Sequence, residues 1–191
     1  MKRKILCLSV LAIMLAILAA GSLAYFTAEG RARNVITTGS IKISVVEQQL
    51  VDDKLIDYPN EKITNVMPGA EISKIVTIKN TGSSEAWIRV KVDKSIARAD
   101  KGESDVSLVR LDFDTENWVG KDGYYYYKKP VPAGESTTAL FGTVTFDPQM
   151  GNEYQNCEVS IDVIAQAVQT ANNTPADGDV TKAAGWPEKG E

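Results

Sequence analysis

The chain of 191 residues has room for one ordinary domain plus a processing segment, and little room for two independent cores. Acidic residues outnumber basic ones 25 to 21, a formal charge of −4 that argues against nucleic acid as a partner. There is no histidine, which removes the commonest general base, the HExxH zinc helix and every Ser-His or Cys-His nucleophile pair.

The first element is a leader. Lys2, Arg3 and Lys4 precede an apolar run from Ile5 to Ala20 broken only by Ser9, and small residues come next. Basic, then apolar, then small is the order of a secretory signal peptide. Ser22 and Ala24 occupy the −3 and −1 places of an A-x-A-like site, so cleavage falls between Ala24 and Tyr25. The rival reading is a retained anchor, because the run extends through Phe26 to 22 residues and about 20 suffice to cross a bilayer. Cleavage takes the charge from −4 to −7, since three cations and no acid leave. Cys7 leaves too, so Cys157 stands alone and no disulfide forms within the mature chain. An apolar slot on a strand is the plain reading of Cys157, with an intermolecular bridge as the alternative.

Downstream, two-residue alternation predicts strands. Ile41, Ile43 and Val45 alternate with polar residues; Ile72, Val76 and Ile78 do so with Ile75 as the exception; Ala86 to Asp93 is the cleanest case. Val109 to Phe113, Leu140 to Phe146 and Val159 to Ala167 repeat the pattern, and Tyr124 to Tyr127 is an aromatic run of strong strand preference. Turn-forming stretches separate them: Met67-Pro68-Gly69, Asn80-Thr81-Gly82, Lys121-Asp122-Gly123, Pro132-Ala133-Gly134 and Asp147 to Asn152. Seven to nine such strands predict an all-β fold, a jelly-roll-like antiparallel β-sandwich. Helix is confined to Ser95–Ala99 and Val180–Ala184. The expected division is a signal helix over 1–24, an extended segment over 25–38, a sandwich domain over 39–170 and a loose tail over 171–191, in which Trp186 argues for docking on the domain.

Candidate chemistry is sparse. Asp112, Asp114 and Glu116 lie close together, and a carboxylate pair can act as acid and base. A solvated edge is the commoner meaning of such a cluster. An EF-hand loop fails, with Asn117 and Gly123 where Gly and Glu are needed. Tyr124 to Tyr127 can be read as a sugar-stacking surface, although alternation sends Tyr124 and Tyr126 to one face and Tyr125 and Tyr127 to the other, which favours packing. No cofactor, catalytic or metal site is assigned, and the chain reads as a non-enzyme.

Several motifs in order resemble the TasA and camelysin family of exported proteins. These are Leu23-Ala24-Tyr25-Phe26-Thr27 at the cut, NVITTGSIKI over 34–43, MPGAE over 67–71, TIKNTGSSEAWIRVKV over 77–92, VPAGESTTALFGTVTF over 131–146, VIAQAVQTA over 163–171 and Ala183-Ala184-Gly185-Trp186. The resemblance implies cutting by the dedicated signal peptidase SipW, secretion to the extracellular matrix or cell surface, a jelly-roll domain, and self-assembly into fibres of the biofilm matrix with an accessory anchoring protein. Some members are described as metallo-endopeptidases, an activity that a chain without histidine does not inherit. In fibre-forming relatives the first residues of the mature chain add as a strand to the next subunit; here Tyr25, Phe26, Val35 and Ile36 are the candidate anchors of such a strand, and the equal alternative is that the segment is the first strand of its own domain. Placed against this reading are a cell-surface carbohydrate-binding module and a secreted endopeptidase.

Overall fold

The computed structural model describes residues 41–59, 63 and 67–187. The signal segment, the cleavage site Ala24–Tyr25 and the anchors Tyr25, Phe26, Val35 and Ile36 lie outside the described residues.

Among the described residues, nine strands build two antiparallel sheets packed face to face. They are β1 (Ile43–Val51), β2 (Lys54–Asp57), β3 (Glu71–Asn80), β4 (Ala86–Ala97), β5 (Val109–Leu111), β6 (Trp118–Lys121), β7 (Tyr124–Tyr127), β8 (Phe141–Phe146) and β9 (Glu158–Gln169). One sheet runs β2-β1-β3-β8-β5 and the other β6-β7-β4-β9. Distant strands are neighbours in both, as in β3 with β8 and β4 with β9, so the chain crosses repeatedly between layers. This is the jelly-roll-like sandwich that the alternation predicts.

The core is the inner face of the strands other than β2, whose four residues are all exposed. Ile43, Val45, Val76 and Ile78 face Ile88, Val90, Val163 and Ala165, with Trp118, Leu140, Phe141 and Phe146 filling the large spaces; all are buried. Ile75, the apolar exception on the polar face of β3, keeps the alternation: it lies opposite Gln48 on the outward parity while Lys74, Val76 and Ile78 are buried. The register between β3 and β8 shifts between Ser73 and Val76, which marks a bulge.

Two tight hairpins shape the sheet edges. Val51 pairs with Lys54 across Asp52-Asp53, whose φ angles are +48° and +60°, and Lys121 pairs with Tyr124 across Asp122-Gly123 at +52° and +80°. Two successive positive φ values give the turn whose twist matches that of the flanking strands. Asn80, fully buried, closes the β3–β4 corner: its side-chain amide donates to Ser84 O and Val131 O, and its side-chain oxygen accepts from Gly82 N–H.

Two local expectations give way. Ser95 and Ile96, expected in a helical turn, continue β4 because they pair with Ser160 and Val159 across the long β4–β9 ladder. Where composition suggests a loose tail from Ala171, residues 171–187 are laid along the outer face of the four-stranded sheet. Val180–Lys182 forms a single 3-10 turn there, capped by Asp179.

Candidate functional site

Each carboxylate of the acidic trio that the structure gives a hydrogen bond is used to hold backbone. β5 ends at Leu111, so the three do not share one strand. Asp112 Oδ1 accepts from Gly142 N–H at 2.8 Å and Thr143 N–H at 2.6 Å. Asp114 accepts from the Asn117 side chain, the backbone N–H groups of Glu116 and Asn117, and the Thr138 hydroxyl. Those bonds favour its charged form, led by the Asn117 amide, and lower its pKa. A carboxylate committed to four donors in this way clamps the turn. No cluster of three or more potential metal ligands occurs among the described residues.

The tyrosine run divides by face as alternation requires. Tyr125 stacks on Phe113 with ring centroids 4.0 Å apart, and Tyr127 packs on Trp118 at 5.0 Å. Tyr124 and Tyr126 lie on the outer face beneath the tail, both buried. Packing has taken up all four rings, and Tyr125 has its face against Phe113. Cys157 is fully buried, and burial raises its thiol pKa; a buried, protonated thiol is a poor nucleophile.

A cluster that sequence reading does not identify is centred on Arg89. This side chain is only 9% exposed. It donates to Gln166 Oε1 at 2.7 Å, to the Tyr126 hydroxyl at 3.4 Å and to Pro187 O at 2.9 Å. Its guanidinium lies 4.0 Å from the Tyr124 ring centroid and 4.8 Å from that of Trp186. Trp186 also meets Tyr126 edge to face at 5.7 Å. The tail is thus held by an arginine satisfied through neutral acceptors and aromatic faces. Trp87 Nε1 donates to Asn173 O at 2.9 Å, and the Asn173 side chain bonds both ways with the backbone of Ala184. The signal present in the sequence is the pairing of Arg89 with the Tyr124–Tyr127 run on one sheet face, which requires the register to be known.

The second feature is the β1–β2 hairpin. Leu50, Val51, Leu55 and Ile56 are all exposed, Leu55 at 55%. At its root, Lys74 and Glu47 form a buried ion pair at 2.7 Å, and the Lys74 ammonium lies 3.9 Å above the Tyr58 ring. β2 is the terminal strand of its sheet. Sequence patterning does not announce this hairpin, because its turn is Asp-Asp and not the Asn-Gly or Asp-Gly that marks such loops.

No family model, no curated protein and no solved structure matches the chain. No helix among the described residues is long and apolar enough to cross a membrane.

Proposed function

We propose that the chain is a secreted structural protein of the extracellular biofilm matrix, related to the TasA and camelysin proteins, which assembles into fibres by strand addition between subunits. The observation that carries this reading is an antiparallel sandwich whose terminal strand β2 pairs on one side alone among the described residues, preceded in the chain by the segment 25–38. An open edge presents a row of backbone N–H and C=O groups that an extended chain satisfies. β1 begins at Ile43, opposite Asn80, and ends at Val51, at the far end of the same sheet.

Four apolar anchors at about 1.5–3 kcal/mol each do not offset the ordering of some ten residues at ~1–2 kcal/mol each. Ladder hydrogen bonds must supply the rest, so assembly is concentration-dependent and slow to nucleate. Signal removal by SipW and anchoring by an accessory protein belong to the same reading. Electron microscopy of the mature chain at rising concentration tests it. Filaments are expected, and they should disappear when Tyr25 to Thr38 are deleted; fibres that grow unimpaired from the truncated chain would remove the mechanism.

A further inference from the structure

The exposed large apolar side chains of the described residues are Leu50, Val51, Leu55, Ile56, Met67 and Val106. The ladders place all six at one end of the five-stranded sheet. Leu50 N–H donates to Ser73 Oγ, which sets the hairpin beside the start of β3; Gly69 N–H donates to Phe146 O; Asp147 N–H donates to Leu108 O; and Val109 pairs with Phe146. Apolar surface gathered at one pole marks an interaction site, whereas scattered single residues do not.

β2 forms the edge of this pole. The two-residue turn makes Val51 and Lys54 a hydrogen-bonded pair, and the bond from Tyr58 N–H to Glu47 O continues the alternation. It follows that the N–H and C=O groups of Leu55 and Asp57 point away from β1. They make no hydrogen bond outside the sheet ladder among the described residues.

We propose that this edge is the docking surface for a second copy of the chain, with β2 pairing antiparallel to β2 about a two-fold axis at Ile56. An edge strand is its own complement under such an axis, which makes the contact isologous and closed. Centring on Ile56 sets Leu55 opposite Asp57 of the second copy, so that all four outward groups of each strand are bonded. It also sets the two Ile56 side chains against each other, with Leu50 and Leu55 on the opposite face closing over the new seam. Centring on Leu55 instead would put Asp57 opposite the Asp53 of the second copy, a like-charge pair directly across the ladder. The hairpin carries apolar side chains on both faces because a ten-stranded sheet continuing through it has two faces to cover. An interface this small lies at the low end of specific contacts, below about 1,200 Å² in total, and gives a reversible dimer. The contact is separate from fibre growth and holds whether or not the segment 25–38 donates a strand.

Oxidative cross-linking of the full chain in a Cys7→Ser background, read on a non-reducing denaturing gel, tests the register. Residues facing each other across a non-hydrogen-bonded pair have Cα atoms about 4.5 Å apart, within disulfide reach. Ile56→Cys should cross-link to itself. Leu55→Cys, whose copies sit about 7–8 Å apart on the diagonal, should cross-link at least tenfold more slowly, and Cys157 is too buried to contribute. Sedimentation equilibrium of the same chain should show a reversible dimer that Ile56→Lys weakens at least tenfold, with unchanged circular dichroism. A chain that stays monomeric at high concentration, a dimer indifferent to Ile56→Lys, or equal cross-linking at 55 and 56 would overturn the proposal. So would a monomer that instead floats with phosphatidylcholine vesicles and loses that property on Ile56→Lys.

Discussion

The two sheets solve the same difficulty in opposite ways. On the outer face of the four-stranded sheet, the apolar and aromatic groups Tyr124, Tyr126, Trp87 and Val119 are covered by the chain's own tail through Val180 and Trp186. At the hairpin end of the five-stranded sheet, comparable apolar surface on Leu50, Leu55 and Ile56 is left exposed. Covering surface in cis adds a small second core to the domain and fixes the tail. Leaving it open adds little to the stability of one copy and reserves the surface for contact. The difference arises where each strand ends: β9 runs into a tail with a tryptophan positioned over the sheet, whereas β2 lies at the limit of its sheet with no segment laid over it among the described residues.

Breaking the covered region should therefore have the larger effect on folding. Trp186→Ala removes a ring packed on Tyr126 and Arg89 and should cost about 3 kcal/mol, the lower end for loss of a large aromatic, measured by urea unfolding. Arg89→Met keeps the length of the stem but leaves Gln166 Oε1 and Pro187 O without their donor; about 2 kcal/mol is expected from the orphaned acceptors. The two changes should be less than additive in a double-mutant cycle, because both release the same tail. Full additivity would mean that the tail is not held as one unit.

Legibility in the sequence tracks the physics of each element. Long strands buried on one face, such as Ala86–Asp93 and Val159–Ala167, announce themselves by alternation, and the sandwich can be inferred from their number. β6 escapes the pattern because Trp118–Lys121 is only four residues long and includes Gly120, too little for a period to register. The extension of β4 through Ala97 is hidden because its partner in β9, and not local preference, decides the conformation there. The same holds for the Arg89 cluster, whose members are 98 residues apart at the extremes and meet only through tertiary register. The acidic trio reads from sequence as ordinary surface chemistry, but the role of Asp112 as a clamp on Gly142 and Thr143 emerges only from the β5–β8 pairing.

Acid offers a gentler way to loosen the covered region. Asp179 caps the 3-10 turn of the tail by accepting from the Thr181 hydroxyl at 2.6 Å and from Thr181 N–H at 3.0 Å. These bonds, with the hydroxyl contributing most, lower its pKa below the ordinary aspartate value of 3.8. A pKa depressed in the folded state contributes stability that is fully present above the unfolded value and is lost as pH falls through the folded one. The tail should thus loosen below about pH 4, an ordinary carboxylate range, monitored by Trp186 fluorescence. Asp179→Asn should flatten that part of the profile, while Asp114, also depressed, keeps its own acid dependence in the body of the domain.

The smallest folding effect belongs to the open region, and it is the most informative. Leu55→Ser removes an exposed side chain paired with Leu50 across the hairpin. A cross-strand pair of this kind contributes roughly 0.2–1 kcal/mol, so the unfolding free energy of a dilute, monomeric sample should fall by about 0.5 kcal/mol. If the apolar pole is reserved for contact between copies, the same substitution should matter more at high protein concentration than at low, because the surface is buried only in the assembled form. Trp186→Ala should behave in the reverse way, costing the same at every concentration, since its contacts are complete within one chain. A Leu55→Ser variant whose loss of stability is as large in dilute solution as that of Trp186→Ala would show that the hairpin is covered within the monomer after all, and the contrast between the two sheets would collapse.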